Sequence, residues 1–239
     1  MQHRFISEGD KSTAEISLLA MAGDAYKEHV AGLLKVIRAS KIVKEDSIPC
    51  LIEDGLFLGS LGAANNKTAL KALNVTHILT VAHSLIPSHP NDFVYKIIQG
   101  SGENFDVTNI RSMLLFQGIF RDTEDAKLSQ YFDECFAFID EAKVSGGGVL
   151  VHCFLGRSRR VACFRLSGKH LSVTVVVAYL MFKHGMSLSE AVDHVRVKRP
   201  MMCPNQGFIS QLEEYAKYLQ DAKNKDRAAH EPEKSGSSV

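Results

Sequence analysis

Apolar positions recur along this chain at several spacings, and each spacing predicts an element. Between about Ala22 and Lys44, Val30, Leu33, Leu34, Ile37 and Ile42 fall near one face of a helix, with Lys27, Lys35, Arg38, Lys41 and Lys44 around it. LIEDGLFLGS reads as a short strand pair turning at Asp54-Gly55. Asn66 to Leu73 predicts a short helix, THILTVA (76–82) a compact apolar strand, and FVYKII (93–98) an alternating strand after a Pro/Asn loop. Leu128, Phe132, Cys135, Phe136 and Ile139 return to helical spacing, and the Gly146-Gly147-Gly148 run should end that helix. GVLVH (148–152) is short, β-branched and glycine-bounded, as a buried strand is. Val173 to His184 is apolar nearly throughout; its β-branched run favours a strand, while its length and Gly185 just past its end favour a buried helix. Ser187-x-x-Glu190 is a capping box opening a helix that stops before Pro200. Pro204 to about Lys223 forms a last amphipathic helix on Phe208, Leu212, Tyr215 and Leu219. Strands alternating with helices predict an α/β domain around a central sheet. The expected division is a 1–46 extension carrying the basic helix, a 47–222 globular domain, and a charged, Ser/Gly-rich 223–239 tail without fixed structure.

Composition narrows the picture only by exclusion. Apolar residues make up 45% of the 239 positions and charged residues 23%, which suits a globular domain with a core of useful size. A formal net charge of +1 gives no global field toward nucleic acid or a membrane surface, so neither is expected as a partner. No apolar run approaches the roughly 18 residues of a membrane span, and MQHRFISEGDKS lacks the apolar stretch of a secretory signal. Cys50, Cys135, Cys153, Cys163 and Cys203 are odd in number, widely spaced and without a CxxC pair. That argues against both a disulfide framework and a zinc site, and for a reducing cytoplasmic or nuclear compartment.

One string carries chemistry. After the buried strand comes His152-Cys153-Phe154-Leu155-Gly156-Arg157-Ser158-Arg159. A phosphate dianion needs many donors at once, and a tight loop can turn successive backbone N–H groups inward as an anion nest. Gly156 permits the backbone turn, and Arg159 offers a planar fork that matches two phosphate oxygens. The same positive field favours the Cys153 thiolate, which can attack phosphorus from beneath and form a phosphocysteine. Phe154, Leu155, Arg157 and Ser158 complete the expected substrate-binding loop, with Phe154 and Arg157 at the pocket edge.

This string is the His-Cys-x5-Arg signature of the cysteine phosphatase superfamily. The chain resembles dual-specificity phosphatases well beyond it. LFLGSLGAA, NVTHILTVA, YFDECFAFIDEA, SVTVVVAYLMFKHGMSLSEA and RP…PNQGFISQL match successive landmarks of that family over roughly 48–220, most closely those of plant members, whose N-terminal helix is similar too. The resemblance implies a mixed sheet flanked by helices. It implies metal-free, cofactor-free hydrolysis of phosphotyrosine and phosphoserine or phosphothreonine in proteins, with mitogen-activated protein kinases as the substrate class. It assigns Asp122, at the matching spacing before Tyr131-Phe132, as the general acid that protonates the leaving oxygen and later activates water; nearby Asp125 reads as an N-cap or a solvated charge. His152 resembles the family histidine that orders the loop, and Asn205 a loop-supporting asparagine. The helix over 22–44 is either a docking helix with a solvated basic side or a calmodulin-type target helix. A phosphatase for lipid or RNA phosphates ranks low, because the loop lacks the extra lysines that highly anionic headgroups favour.

Two segments depart from the family pattern, and both look like retained intervening sequence. The stretch near 101–120 lengthens the path from the FVYKII strand to Asp122. More seriously, residues 160–171 separate Arg159 from Ser172-Val173-Thr174, where the family pattern resumes, so Arg160 stands in the place of a serine that assists the second chemical step. Two outcomes are open: the insert loops out and Ser172 starts the buried helix near the pocket, or the insert itself forms a helix and displaces Ser172. Either can shift Arg159, and misplacement near 1 Å costs about a hundredfold in rate, so the insert favours the alternative of a catalytically impaired, phosphoprotein-binding regulatory protein.

Overall fold

The structure, a computed structural model, describes residues 24–82, 85–98, 127–153, 171–200, 202 and 206–230. The chain divides into two compact units, Met1–Ser40 and Lys41–Val239. Helix α1 (Asp24–Glu45) matches the basic amphipathic stretch, and within it Leu34 and Ile37 are exposed.

The larger unit is built on strands β1 (Cys50–Glu53), β2 (Leu56–Gly59), β3 (Val75–Val81), β4 (Val94–Ile98) and β5 (Gly148–His152) in the order β1-β2-β5-β3-β4. β1 and β2 form the expected antiparallel pair, with Gly55 at φ +71 in their turn. The β2–β5, β5–β3 and β3–β4 pairs are parallel. The sheet is therefore mixed, and four of its strands end on one edge.

Helices cover both faces. Leu56, Leu58, Leu79, Val81, Val149 and Val151 point to one face. They pack there with residues of α4 (Phe132–Val144), α5 (Leu171–His184), α6 (Leu188–Lys198) and α7 (Gln206–His230). The alternate residues Phe57, Ile78 and Leu150 point the other way, into a smaller core with Ala63 and Ala64 of α2 (Leu61–Asn65) and Leu70 of α3 (Lys67–Ala72). With both faces covered, the inner strands read as continuous apolar runs.

The structure refines several sequence expectations. The Asn66–Leu73 helix is α3, with Asn66 capping the Ala69 N–H, but α2 precedes it unforeseen. LGAAN is a weak helix sequence; Ser60 caps it, and Gly62 lies where a Cβ would stand 1.9 Å from the Val43 carbonyl oxygen. Val173–His184 is helical, within α5: burial on all sides by other elements accommodates its β-branched residues. The Ser187–Glu190 capping box is present. The final helix does not stop near Lys223 but continues to His230, a correction to the tail expected from 223. Alanine, lysine and arginine in that stretch are good helix formers and extend an already nucleated helix. The 101–120 stretch lies outside the described residues.

Candidate functional site

Register aligns three strand ends at one point. Gly59 of β2 pairs with His152 of β5, and His152 pairs with Thr80 of β3. Cys153 is the next residue, at the carboxyl end of the central strand. Ligands favour that edge in open parallel sheets. Cys153 is buried, as are His152 and Thr80.

Helix α5 begins at Leu171 and brings Ser172 directly against the thiol: Ser172 Oγ donates to Cys153 Sγ at 3.2 Å. Ser172 is fully buried. Of the two outcomes open in the sequence, Ser172 follows the first. It starts the buried helix at the cysteine and is not displaced from it.

His152 has both ring nitrogens engaged. Nε2 lies 2.8 Å from Thr80 Oγ1, and Nδ1 lies 3.3 Å from the Cys153 carbonyl oxygen. A carbonyl only accepts, so Nδ1 carries the proton; a neutral ring then leaves Nε2 to accept the Thr80 hydroxyl proton. Burial pushes the His152 pKa down to about 4, so the ring is neutral near pH 7. Its two nitrogens hold the protein rather than a substrate. His152 thus ties the Cys153 backbone to β3.

The opposite side of the same edge is anchored by residues the sequence did not single out. Ser60, one residue beyond Gly59, donates its hydroxyl to the Asp46 carbonyl oxygen at 2.8 Å. Asp46 forms a buried ion pair with Arg199 at 2.5 Å. Asn66 Nδ2 donates to the Ser47 carbonyl oxygen at 2.9 Å. These ties clamp the connector between α1 and β1 onto α2 and the end of α6. A lone arginine before Pro200 and an aspartate after a helix gave no sequence signal of pairing, because 153 residue positions separate them.

Farther from the thiol, Tyr179 of α5 donates its hydroxyl to Asp140 of α4 at 2.7 Å, and Lys183 pairs with the other oxygen of the same carboxylate at 2.8 Å. His184 and Lys143 both reach Glu53. The body of α5 is thereby fixed at the end away from Ser172. Among the described residues no group of three or more His, Cys, Asp or Glu side chains is placed to hold a metal ion. No described helix is long and apolar enough to cross a membrane. Phe154, Leu155, Gly156, Arg157, Ser158, Arg159, Asp122, Asp125 and Asn205 lie outside the described residues.

The comparisons with known proteins agree with this arrangement. The family described as Dual specificity phosphatase, catalytic domain, matches residues 56–218. Dual specificity protein phosphatase 1 of Arabidopsis thaliana is 46% identical over 209 residues, covering 87% of this chain and 89% of that protein. MAP kinase phosphatase with leucine-rich repeats protein 1 of Dictyostelium discoideum is 38% identical over 172 residues, 72% of this chain but only 16% of its own length. Among solved structures, the human tyrosine phosphatase-like serine/threonine/tyrosine-interacting protein superposes with a TM-score of 0.56 at 27% identity, covering 72% of this chain and 99% of that one. A cysteine at the carboxyl end of the central parallel strand, a serine against its sulfur, and this extent of sequence identity together establish that the chain belongs to the dual-specificity phosphatase family.

Proposed function

We propose that this chain hydrolyses phosphotyrosine and phosphoserine or phosphothreonine in proteins through a phosphocysteine formed on Cys153. The observation that carries the reading is the 3.2 Å contact between Ser172 Oγ and Cys153 Sγ, kept despite the insert after Arg159. The Cys153 thiolate attacks phosphorus, the bond from phosphorus to the tyrosine, serine or threonine oxygen breaks, and Asp122 gives that oxygen its proton. Arg159 and the N–H groups of residues 154–158 hold the equatorial oxygens. Asp122 then takes a proton from water, which attacks phosphorus. The sulfur–phosphorus bond breaks, and the Ser172 hydroxyl donates to the departing thiolate. Inorganic phosphate leaves and the enzyme is restored. The chemistry needs no metal or cofactor.

Mitogen-activated protein kinases are the proposed substrates, supported by the name of the Dictyostelium relative. A cytoplasmic or nuclear setting is proposed because a thiolate nucleophile needs reducing surroundings. Calmodulin is a proposed partner of residues 22–44. Exposed Leu34 and Ile37, one turn apart on α1, with exposed Lys27, Lys41 and Lys44, suit that mode of recognition. A calcium titration of the 22–44 peptide that gives no shift removes this partner.

The test is hydrolysis of an aryl phosphate by this chain beside a variant lacking 160–171. Turnover is expected from the chain itself, lost in Cys153→Ser and lowered about 10²- to 10⁴-fold in Asp122→Asn. Turnover only after removal of 160–171 would instead make this chain a phosphoprotein-binding regulator. Inactivity of both proteins would overturn the reading.

A further inference from the structure

We infer that Thr80 is a positioning residue for the Cys153 reaction: its hydroxyl anchors the far nitrogen of the His152 ring, so that the near nitrogen grips the carbonyl of Cys153. The inference rests on the function proposed above. In β3 its neighbours Ile78, Leu79 and Val81 are all apolar and buried, and Thr80 is buried with them. A hydroxyl buried among aliphatic side chains costs stability unless it is hydrogen-bonded. The parallel register sets it directly beside His152, and Oγ1 lies 2.8 Å from Nε2.

That contact has only one arrangement consistent with the other side of the ring. The Cys153 carbonyl oxygen, 3.3 Å from Nδ1, has no proton to give, so Nδ1–H donates to it. Nε2 is then a bare acceptor and the threonine must be the donor. With Nε2 protonated and Nδ1 bare, the imidazole would set a lone pair against the carbonyl oxygen and repel it. The Thr80 hydroxyl therefore does more than fill space. By giving its proton to Nε2 it pins the far side of the ring and holds Nδ1–H against the carbonyl. Nδ1–H in turn fixes the orientation of the peptide that follows Cys153.

This matters because the Cys153 peptide is where the strand turns into the loop. The nucleophile is held from two sides: at sulfur by Ser172 and at its carbonyl by His152. A loose carbonyl would let the first N–H of the loop swing away from the phosphate. The aliphatic isostere of threonine fills the same volume in β3, and valine is as good a strand former. The substitution therefore isolates the hydroxyl.

Two measurements on Thr80→Val and Thr80→Ser in the full chain test the inference. Nitrogen NMR of the His152 ring, which needs no turnover, should report the Nδ1–H tautomer in the parent and in Thr80→Ser. In Thr80→Val the Nδ1–H form should persist, set by the carbonyl, but its proton should exchange with solvent about tenfold faster, because the ring is anchored on one side only. Aryl phosphate hydrolysis should fall about tenfold in kcat/KM in Thr80→Val, the scale of one lost buried hydrogen bond, with the acid limb of its pH profile moved upward and serine restoring both. An Nε2–H ring in the parent overturns the inference, as do an unchanged Nδ1–H exchange rate and pH profile in Thr80→Val. A parent with the Nδ1–H ring but no hydrolysis of any phosphate ester defeats the proposed function and leaves the role of Thr80 in orienting His152 standing.

Discussion

Replacing Ser172 with alanine probes the site at its best-defined contact. Both partners are buried, and Oγ lies 3.2 Å from Sγ. Alanine is the best helix former and leaves only a small void at the start of α5, so the fold should survive with a stability change of about 1 kcal/mol or less. The sulfur, however, loses a donor. A hydrogen bond to a charged acceptor contributes about 1.5–3 kcal/mol, so the thiolate should be disfavoured about tenfold to a hundredfold relative to the thiol. Alkylation by iodoacetamide at one fixed pH of about 7, which reads the thiolate without any turnover, should therefore slow about tenfold to a hundredfold. The same loss weakens sulfur as a leaving group. Rapid mixing with an aryl phosphate should then show a burst followed by slow turnover, because breakdown of the phosphocysteine is hindered more than its formation. An alkylation rate equal to the parent's would refute the reasoning, since it would mean that the serine hydroxyl does not reach the sulfur in solution.

Stability offers two further checks. Arg199→Met should cost about 3–5 kcal/mol, because it leaves the buried Asp46 carboxylate without its ion-pair partner, and thermal unfolding should drop by about 10 °C; the double variant with Asp46→Leu should recover part of the loss. His152 gives a pH signature with a definite sign. Its folded pKa of about 4 lies below its ordinary 6.5, so protonation favours the unfolded chain. This contribution, about 3 kcal/mol in all, is present above pH 6.5 and is lost as pH falls toward 4. Chemical denaturation across that window should show the slope in the parent and a flatter line in His152→Gln; equal slopes would reject the assignment.

Most of the scaffold was legible because burial writes itself into spacing. Strands β2, β3 and β5 read as apolar runs bounded by glycine or turn residues, and they are sandwiched between two helical layers. The capping box at Ser187 and the end of α6 before Pro200 depend on neighbours in sequence and could be read directly. Helix α2 could not. Its short, glycine-containing sequence has little propensity of its own, and it exists because Gly62 fits beneath Val43 in the last turn of α1 and Asp46 just past it. The extension of α7 to His230 was missed for the opposite reason: a charged, polar stretch was read as tail although its residues are compatible with a helix already nucleated by Phe208 and Leu212.

The proposed nucleophile could be picked out too, because a cysteine with an arginine beyond five intervening residues after a buried strand is a local pattern whose chemistry follows from residue types. Its surroundings could not. Local order along the chain put Arg160 next to Arg159 and left Ser172 beyond the insert. Only the folded domain, in which α5 starts beside the end of β5, returns that serine to the sulfur. Thr80 and His152 are likewise far apart in sequence and adjacent only through strand register. Sequence determines what each residue can donate, accept or bury, and which short segments repeat with a helical or extended period. Which donor meets which acceptor is decided by closure of the sheet and packing of its helices, because those contacts join positions that chain order keeps apart.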